Sequence, residues 1–124
     1  MVNIGIIRCE KNESTCPLTG CFKTLQNLEQ GFALYDNAEL AGVFTCRCPG
    51  DNVVNFAKIL KSKGAEAIHF CTCTFAAKKD GKWTSGDGFC DNIDEIIKKT
   101  AKEANIPCTK GTAHLPEGYH VESF

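Results

Sequence analysis

The stretch Asn3-Ile4-Gly5-Ile6-Ile7-Arg8-Cys9 is an apolar run that ends next to a cysteine. Similar runs occur at residues 40–44 and 67–70, and cysteines closely follow each of them. Apolar runs of this length predict buried strands. In a parallel α/β sheet the carboxyl ends of the strands lie along one edge, where ligands bind. The sequence therefore predicts that thiols from three segments meet at one edge. These thiols are Cys9, Cys46, Cys48, Cys71 and Cys73.

Segments of helical periodicity separate the strand-like runs and predict the fold class. The predicted strands are residues 3–8, 39–45, 66–71 and 107–113, and the predicted helices lie between them. This alternation predicts an α/β protein with helices on both faces of a parallel sheet. We expect a single three-layer domain over residues 1–124, with a four-stranded, mostly parallel sheet in the flavodoxin-like order 2-1-3-4. The stretch 76–89, rich in Lys, Gly and Asp, is predicted to be a loop.

Composition and charge exclude several classes of function. The formal net charge of −1 argues against a nucleic acid or an anionic membrane surface as partner. No run approaches the roughly 18 apolar residues of a membrane span, and the amino terminus lacks the basic flank of a signal peptide. We therefore expect a cytoplasmic protein. In that compartment nine cysteines in 124 residues favour metal or redox chemistry over disulfide staples.

Two Cys-x-Cys motifs, at residues 46–48 and 71–73, carry the strongest chemical signal. In extended backbone, side chains two positions apart point the same way, so each pair is able to offer two sulfurs to one ion. Thiolate ligands select zinc, copper(I) or iron–sulfur clusters. The first-ranked metal ligands are Cys9, Cys46, Cys48 and Cys73. The second-ranked ligands are Cys16, Cys21, Cys71, Cys90, His69 and His114.

Simpler interpretations exist for some of these residues. His69 lies within a predicted strand, where a hydrogen-bonded core histidine is an equal alternative to a ligand. Cys108, on the last predicted strand, is expected to be a small buried apolar residue. Trp83 lies in the predicted loop, from which it is able to cover a site.

Other well-known reaction classes lack their motifs. The sequence contains neither a Walker A motif nor Gly-x-Gly-x-x-Gly, so nucleotide binding has no support. No Cys-x-x-Cys is present, so thioredoxin-like redox chemistry lacks its usual motif. No cysteine is followed six positions later by an arginine that would clamp phosphate or arsenate. The sequence leaves open whether the protein is an enzyme.

The order of these motifs resembles one known family. Residues 6–11, together with Cys16-Pro17 and Gly20-Cys21-Phe22, resemble the opening of the CGGC-domain proteins. Phe44-Thr45-Cys46 followed by Cys48-Pro49-Gly50 is similar to that family's central Thr-Cys-Gly-Gly-Cys-Pro-Gly. The later blocks that match are residues 67–70 with Cys73, Cys90 before residues 93–96, and residues 111–114. The resemblance covers nearly the whole chain and implies a metal-binding domain, with zinc as the suggested metal.

The chain departs from the family pattern at two places. Cys-Gly-Gly-Cys is replaced by the shorter Cys46-Arg47-Cys48, and Cys71 is an additional thiol. Arg47 is placed either to stabilise an anionic group or simply to point to solvent. More than four clustered thiols exceed what one tetrahedral zinc uses, which leaves room for an iron–sulfur cluster.

Three functions follow from these observations. The leading hypothesis is a cytoplasmic metal-binding protein that holds zinc or an iron–sulfur cluster at the carboxyl edge of the sheet. The alternatives are a redox protein or thiol enzyme with a redox partner, and a metal-sensing or delivery protein with an assembly partner.

Overall fold

The computed structural model describes all residues 1–124 and has an α/β fold. The seven strands are β1 (Val2–Cys9), β2 (Ala38–Cys46), β3 (Ala67–Phe70), β4 (Ala76–Lys79), β5 (Lys82–Ser85), β6 (Cys108–Lys110) and β7 (Glu122–Ser123). The three α-helices are α1 (Thr19–Asn27), α2 (Val53–Ser62) and α3 (Ile93–Ala104). No helix combines the length and the apolar character needed to cross a membrane.

The main sheet has five strands in the order β2-β1-β3-β6-β7. Its first four strands are parallel, whereas β7 runs antiparallel to β6. The α/β class is confirmed, but the prediction of four strands is wrong because β7 adds a fifth. The four parallel strands, counted along the chain, do lie in the order 2-1-3-4.

The stretch 76–89 is a correction to the predicted loop. Its first ten residues form the antiparallel hairpin β4–β5, which is a separate two-stranded sheet. The hairpin turns at Asp80-Gly81, where both residues have positive φ, 51° and 79°. An Asp-Gly pair at positive φ is the preferred connection of a two-residue hairpin loop. The exposed lysines of this stretch therefore lie on the strands of a hairpin.

Alternation along the central strands produces two apolar layers, one on each face of the sheet. Ile4 and Ile6 of β1 point to the α1 side, where they pack with Leu25 and Phe32. Ile7, the next residue on the other face, packs in the α2–α3 layer with Ile97. Each face of the sheet is thus covered by helix. Cysteines lie at or just after the carboxyl ends of β1, β2 and β3.

Candidate functional site

Two thiols at the carboxyl ends of β1 and β2, with one from the turn after β2 and one from the loop before α3, form the first cysteine group, which we call the edge group. Its members are Cys9, Cys46, Cys48 and Cys90. Cys9 and Cys46 are direct register partners on neighbouring parallel strands. Cys48 lies in the turn that leads to α2, and Cys90 lies in the loop before α3. The backbone N–H of Cys90 donates to the Thr74 carbonyl at 3.0 Å, which ties this loop to the segment that follows β3.

The thiols of the edge group interact electrostatically. Burial, together with the charges of Cys90, Cys9 and Cys48, raises the pKa of Cys46 to about 11. Burial also raises the pKa of Cys9, while a hydrogen bond from the Lys11 backbone N–H opposes that rise. Ionising these thiols together is unfavourable without a cation. A bound cation would reverse the balance, because it favours the thiolate form.

Arg47, between the two central cysteines, does not carry a buried charge. Its guanidinium lies 3.4 Å from the Glu13 carboxylate, and its side chain is 62% exposed. Of the two sequence-based interpretations, the structure favours the solvent-facing one. An exposed ion pair of this kind contributes little to stability.

Four further thiols line a cavity of about 240 Å³ on the α1 side of the sheet, and we call them the cavity group. They are Cys16, Cys21, Cys71 and Cys73. Burial, with smaller contributions from the charges of Cys21 and Cys9, raises the pKa of Cys73 to about 11, although a hydrogen bond from Asn12 opposes the rise. Cys73 therefore lies within electrostatic reach of both groups.

The prediction that Cys71 and Cys73 point the same way because they lie on an extended strand is wrong. Strand β3 ends at Phe70, and Thr72–Thr74 form a short 3-10 helix. The backbone is therefore not extended beyond Cys71, and the alternation of a strand does not apply there. Cys71 and Cys73 nevertheless line one cavity because the 3-10 helix turns the chain back on itself.

The sulfurs of Cys21 and Cys71 lie 3.8 Å apart, and both residues are buried. The Thr112 hydroxyl lies 3.1 Å from the Cys21 sulfur. The hydrogen bond from the Cys71 thiol holds the pKa of Cys21 well below its usual value. Further bonds from the Thr112 hydroxyl and the Ala113 backbone N–H add to this effect, although burial opposes it. The same contact raises the pKa of Cys71, so the proton of the pair stays on Cys71.

The two histidines that were predicted as ligands have different surroundings. His69 is fully buried: its Nδ1 lies 2.9 Å from the Gly111 carbonyl and its Nε2 lies 2.7 Å from the Tyr35 hydroxyl. Both ring nitrogens are therefore engaged, as in a hydrogen-bonded core histidine. His114 lines the cavity and stacks on Trp83, with ring centroids 5.0 Å apart. Trp83 thus lines the same cavity as the cavity group.

Cys108 belongs to neither group. It is fully buried in the α2–α3 layer, and its thiol donates to the Ile106 carbonyl at 3.5 Å. This placement agrees with its interpretation as a small buried apolar residue. Cys108 is therefore a convenient control position for experiments on the other thiols.

Sequence reasoning missed two residues that act on the cavity group. The guanidinium of Arg8 donates to the Cys16 carbonyl, and its charge favours the Cys21 thiolate. The Nε of Arg8 is buried and has no hydrogen-bond partner. The Thr112 hydroxyl contacts Cys21. The sequence did hold a signal for Arg8, because a charge follows directly on the apolar residues of β1.

In neither thiol group are the side chains already arranged to coordinate a metal ion. No three His, Cys, Asp or Glu side chains are disposed as a ready metal site. The chemistry of the edge group nevertheless fits a thiophilic ion, because it offers four sulfur donors on adjoining segments.

Comparison with known proteins assigns the family. The family model described as "CGGC domain" matches residues 3–113. The chain belongs to the CGGC-domain family. A CGGC relative, the uncharacterized protein MJ0582 of Methanocaldococcus jannaschii, is 36% identical over 123 residues, covering 92% of this chain and 88% of its own length. No solved structure matches the chain.

Membership confirms the resemblance seen in the sequence, and it supports a cysteine-rich domain that binds metal. In this CGGC domain the central motif is Cys46-Arg47-Cys48, so its two thiols belong to the end of β2 and to the turn after it. The name of this relative states no activity.

Proposed function

We propose that this CGGC domain binds one zinc ion through the edge group. The observation that carries the proposal is the register of β1 and β2, which makes Cys9 and Cys46 direct neighbours. Adjacent strands lie about 4.8 Å apart. Zinc–sulfur bonds of about 2.3 Å in a tetrahedron separate two sulfurs by about 3.8 Å. Two thiols on neighbouring strands therefore need only a small adjustment to share one ion.

The number of thiols in the group supports a single ion. The nine cysteines divide into four edge thiols, four cavity thiols and Cys108. In the sequence, more than four clustered thiols favoured an iron–sulfur cluster, but in the structure these thiols belong to two separate groups of four. Four thiolates are what a tetrahedral zinc ion uses. The charge of Arg47 is paired with the Glu13 carboxylate and largely exposed to solvent.

The proposed role of the edge group is to hold metal. A zinc ion with four thiolate ligands has no open position for a substrate, so it stabilises structure or is stored. Cys48 is exposed, and Cys46 and Cys90 are half-buried, so the site is open to solvent on one side. This exposure suits the delivery of zinc to a partner better than it suits catalysis, and we place delivery second.

Replacement of Cys48 by alanine tests the site directly. We expect Cys48→Ala to lower the affinity for zinc by more than about ten-fold, since it removes one of four thiolates. Because the side chain of Cys48 is exposed, we expect the variant to fold like the wild type. The measurement is zinc content after anaerobic purification, followed by competition with a chromogenic chelator.

The matched control is Cys16→Ala. Cys16 is also followed by proline and is also partly accessible, but it belongs to the cavity group. We expect it to retain zinc at the wild-type level. Unchanged affinity in Cys48→Ala, or equal losses in the two variants, would contradict the assignment of the ion to the edge group.

A further inference from the structure

The proposed zinc site leaves the closest thiol contact of the molecule without a role. The sulfurs of Cys21 and Cys71 lie 3.8 Å apart, while a disulfide bond is about 2.0 Å long. The two residues are 50 positions apart in sequence: Cys21 lies in α1, and Cys71 directly follows β3. A small rotation of each side chain would bring the sulfurs to bonding distance.

The surroundings make the two thiols chemically different. Cys21 lies in the first turn of α1, and the Thr112 hydroxyl is within hydrogen-bond distance of its sulfur. The oxygen of that hydroxyl accepts the Thr72 backbone N–H, which leaves its hydrogen free to point at Cys21. The charge of Arg8 also favours a thiolate at Cys21. Cys71 is more deeply buried and keeps its proton. Cys21 is thus the nucleophile and Cys71 the resolving thiol.

The cavity limits the size of the reaction partner. Its volume is about 240 Å³, and its walls include Leu18, Trp83 and His114. Cys21 is 8% exposed and Cys71 is 1% exposed. A disulfide on the surface of another protein does not fit into such a space, whereas a peroxide of a few atoms does.

We propose that Cys21 and Cys71 form a redox-active dithiol that a small hydroperoxide oxidises to a disulfide. The Cys21 thiolate attacks one peroxide oxygen; the sulfur–oxygen bond forms, the oxygen–oxygen bond breaks, and hydroxide leaves and takes up a proton. Cys71 then attacks the sulfur of the sulfenic acid, and water leaves with the proton of Cys71. Two thiols and one hydrogen peroxide give one disulfide and two waters.

Peptide mapping after a limited oxidation tests the proposal. The full-length, zinc-loaded chain is treated anaerobically with one equivalent of hydrogen peroxide, alkylated and digested. We expect the main product to be a cross-linked peptide pair that contains Cys21 and Cys71, and we expect dithiothreitol to reverse it. In Cys71→Ser the reaction should stop at a sulfenic acid on Cys21, which dimedone traps. In Cys21→Ser neither product should form.

Cys108→Ala is the control variant, because it removes another fully buried thiol that lies outside the cavity. It should form the Cys21–Cys71 disulfide at the wild-type rate. Oxidation confined to other cysteines, or a Cys21 that stays unmodified in Cys71→Ser, would overturn the proposal. The zinc content is measured in the same samples. A chain that binds no zinc but forms the disulfide would contradict the proposed function alone.

Discussion

Zinc at about a thousand times its dissociation constant should raise the free energy of unfolding of the reduced chain by about 4 kcal/mol. The edge group is assembled from β1, β2, the turn after β2 and the loop before α3. An unfolded chain does not hold these four segments together, so zinc binds the folded state far more tightly. Urea unfolding with zinc, and with a chelator in its place, measures the difference.

Two variants show whether this gain comes from the edge group. Cys46→Ala should lose most of the gain, because Cys46 is half-buried at the centre of the group and is the register partner of Cys9. Cys108→Ala should be less stable at the start but should keep the full gain. If zinc stabilised the Cys46→Ala chain as much as the wild type, the ion would have to bind elsewhere.

Acid should destabilise the zinc-free chain through His69 by about 3 kcal/mol between pH 6.5 and pH 4. Burial lowers the pKa of His69 from 6.5 to about 4. Between these values the unfolded chain binds a proton that the folded chain does not, so stability falls as the pH falls. Above pH 6.5 the imidazole is neutral in both states, and below pH 4 it is charged in both. The loss attributed to His69 is therefore confined to this window.

Carboxylates also change the stability of a protein as the pH falls. A comparison of His69→Gln with the wild type separates the contribution of His69 from theirs. At pH 7 the variant should be less stable, because the glutamine side chain does not reproduce both bonds to Gly111 and Tyr35. Its stability should change less with pH, so that the two curves converge near pH 4. His120→Gln, at an exposed position, should follow the wild type. Parallel curves for the wild type and His69→Gln would contradict a neutral, buried His69.

The sequence was sufficient to predict the central strands and the helices between them. Ile4, Ile6 and Ile7 of β1 are apolar because both faces of a central parallel strand are covered. Right-handed crossovers limit the possible orders of the four parallel strands, and the expected order 2-1-3-4 is one of those that remain. Strand β7 was not predictable, because Glu122–Ser123 is short and polar. It pairs with β6 through backbone register, with Ser123 opposite Thr109 and Glu122 opposite Lys110.

The division of the cysteines into two groups was also beyond the sequence. The alternation of side chains along a strand applies to Cys9 and Cys46, which are the last residues of β1 and β2. It fails where β3 ends and the backbone becomes a 3-10 helix, since the direction of Cys73 then depends on that turn. The position of Cys90 depends on the long connection through the β4–β5 hairpin. A ranking from strand ends alone therefore put Cys73 ahead of Cys90.

The metal content and absorption spectrum of the full-length chain, purified without oxygen, test the central claim most directly. The account predicts one zinc ion per chain and a colourless protein, because four edge thiols fill the coordination of one ion. A broad band near about 400 nm that dithionite bleaches would indicate an iron–sulfur cluster and would contradict zinc as the metal. A reduced chain that takes up neither zinc nor iron would contradict metal binding itself.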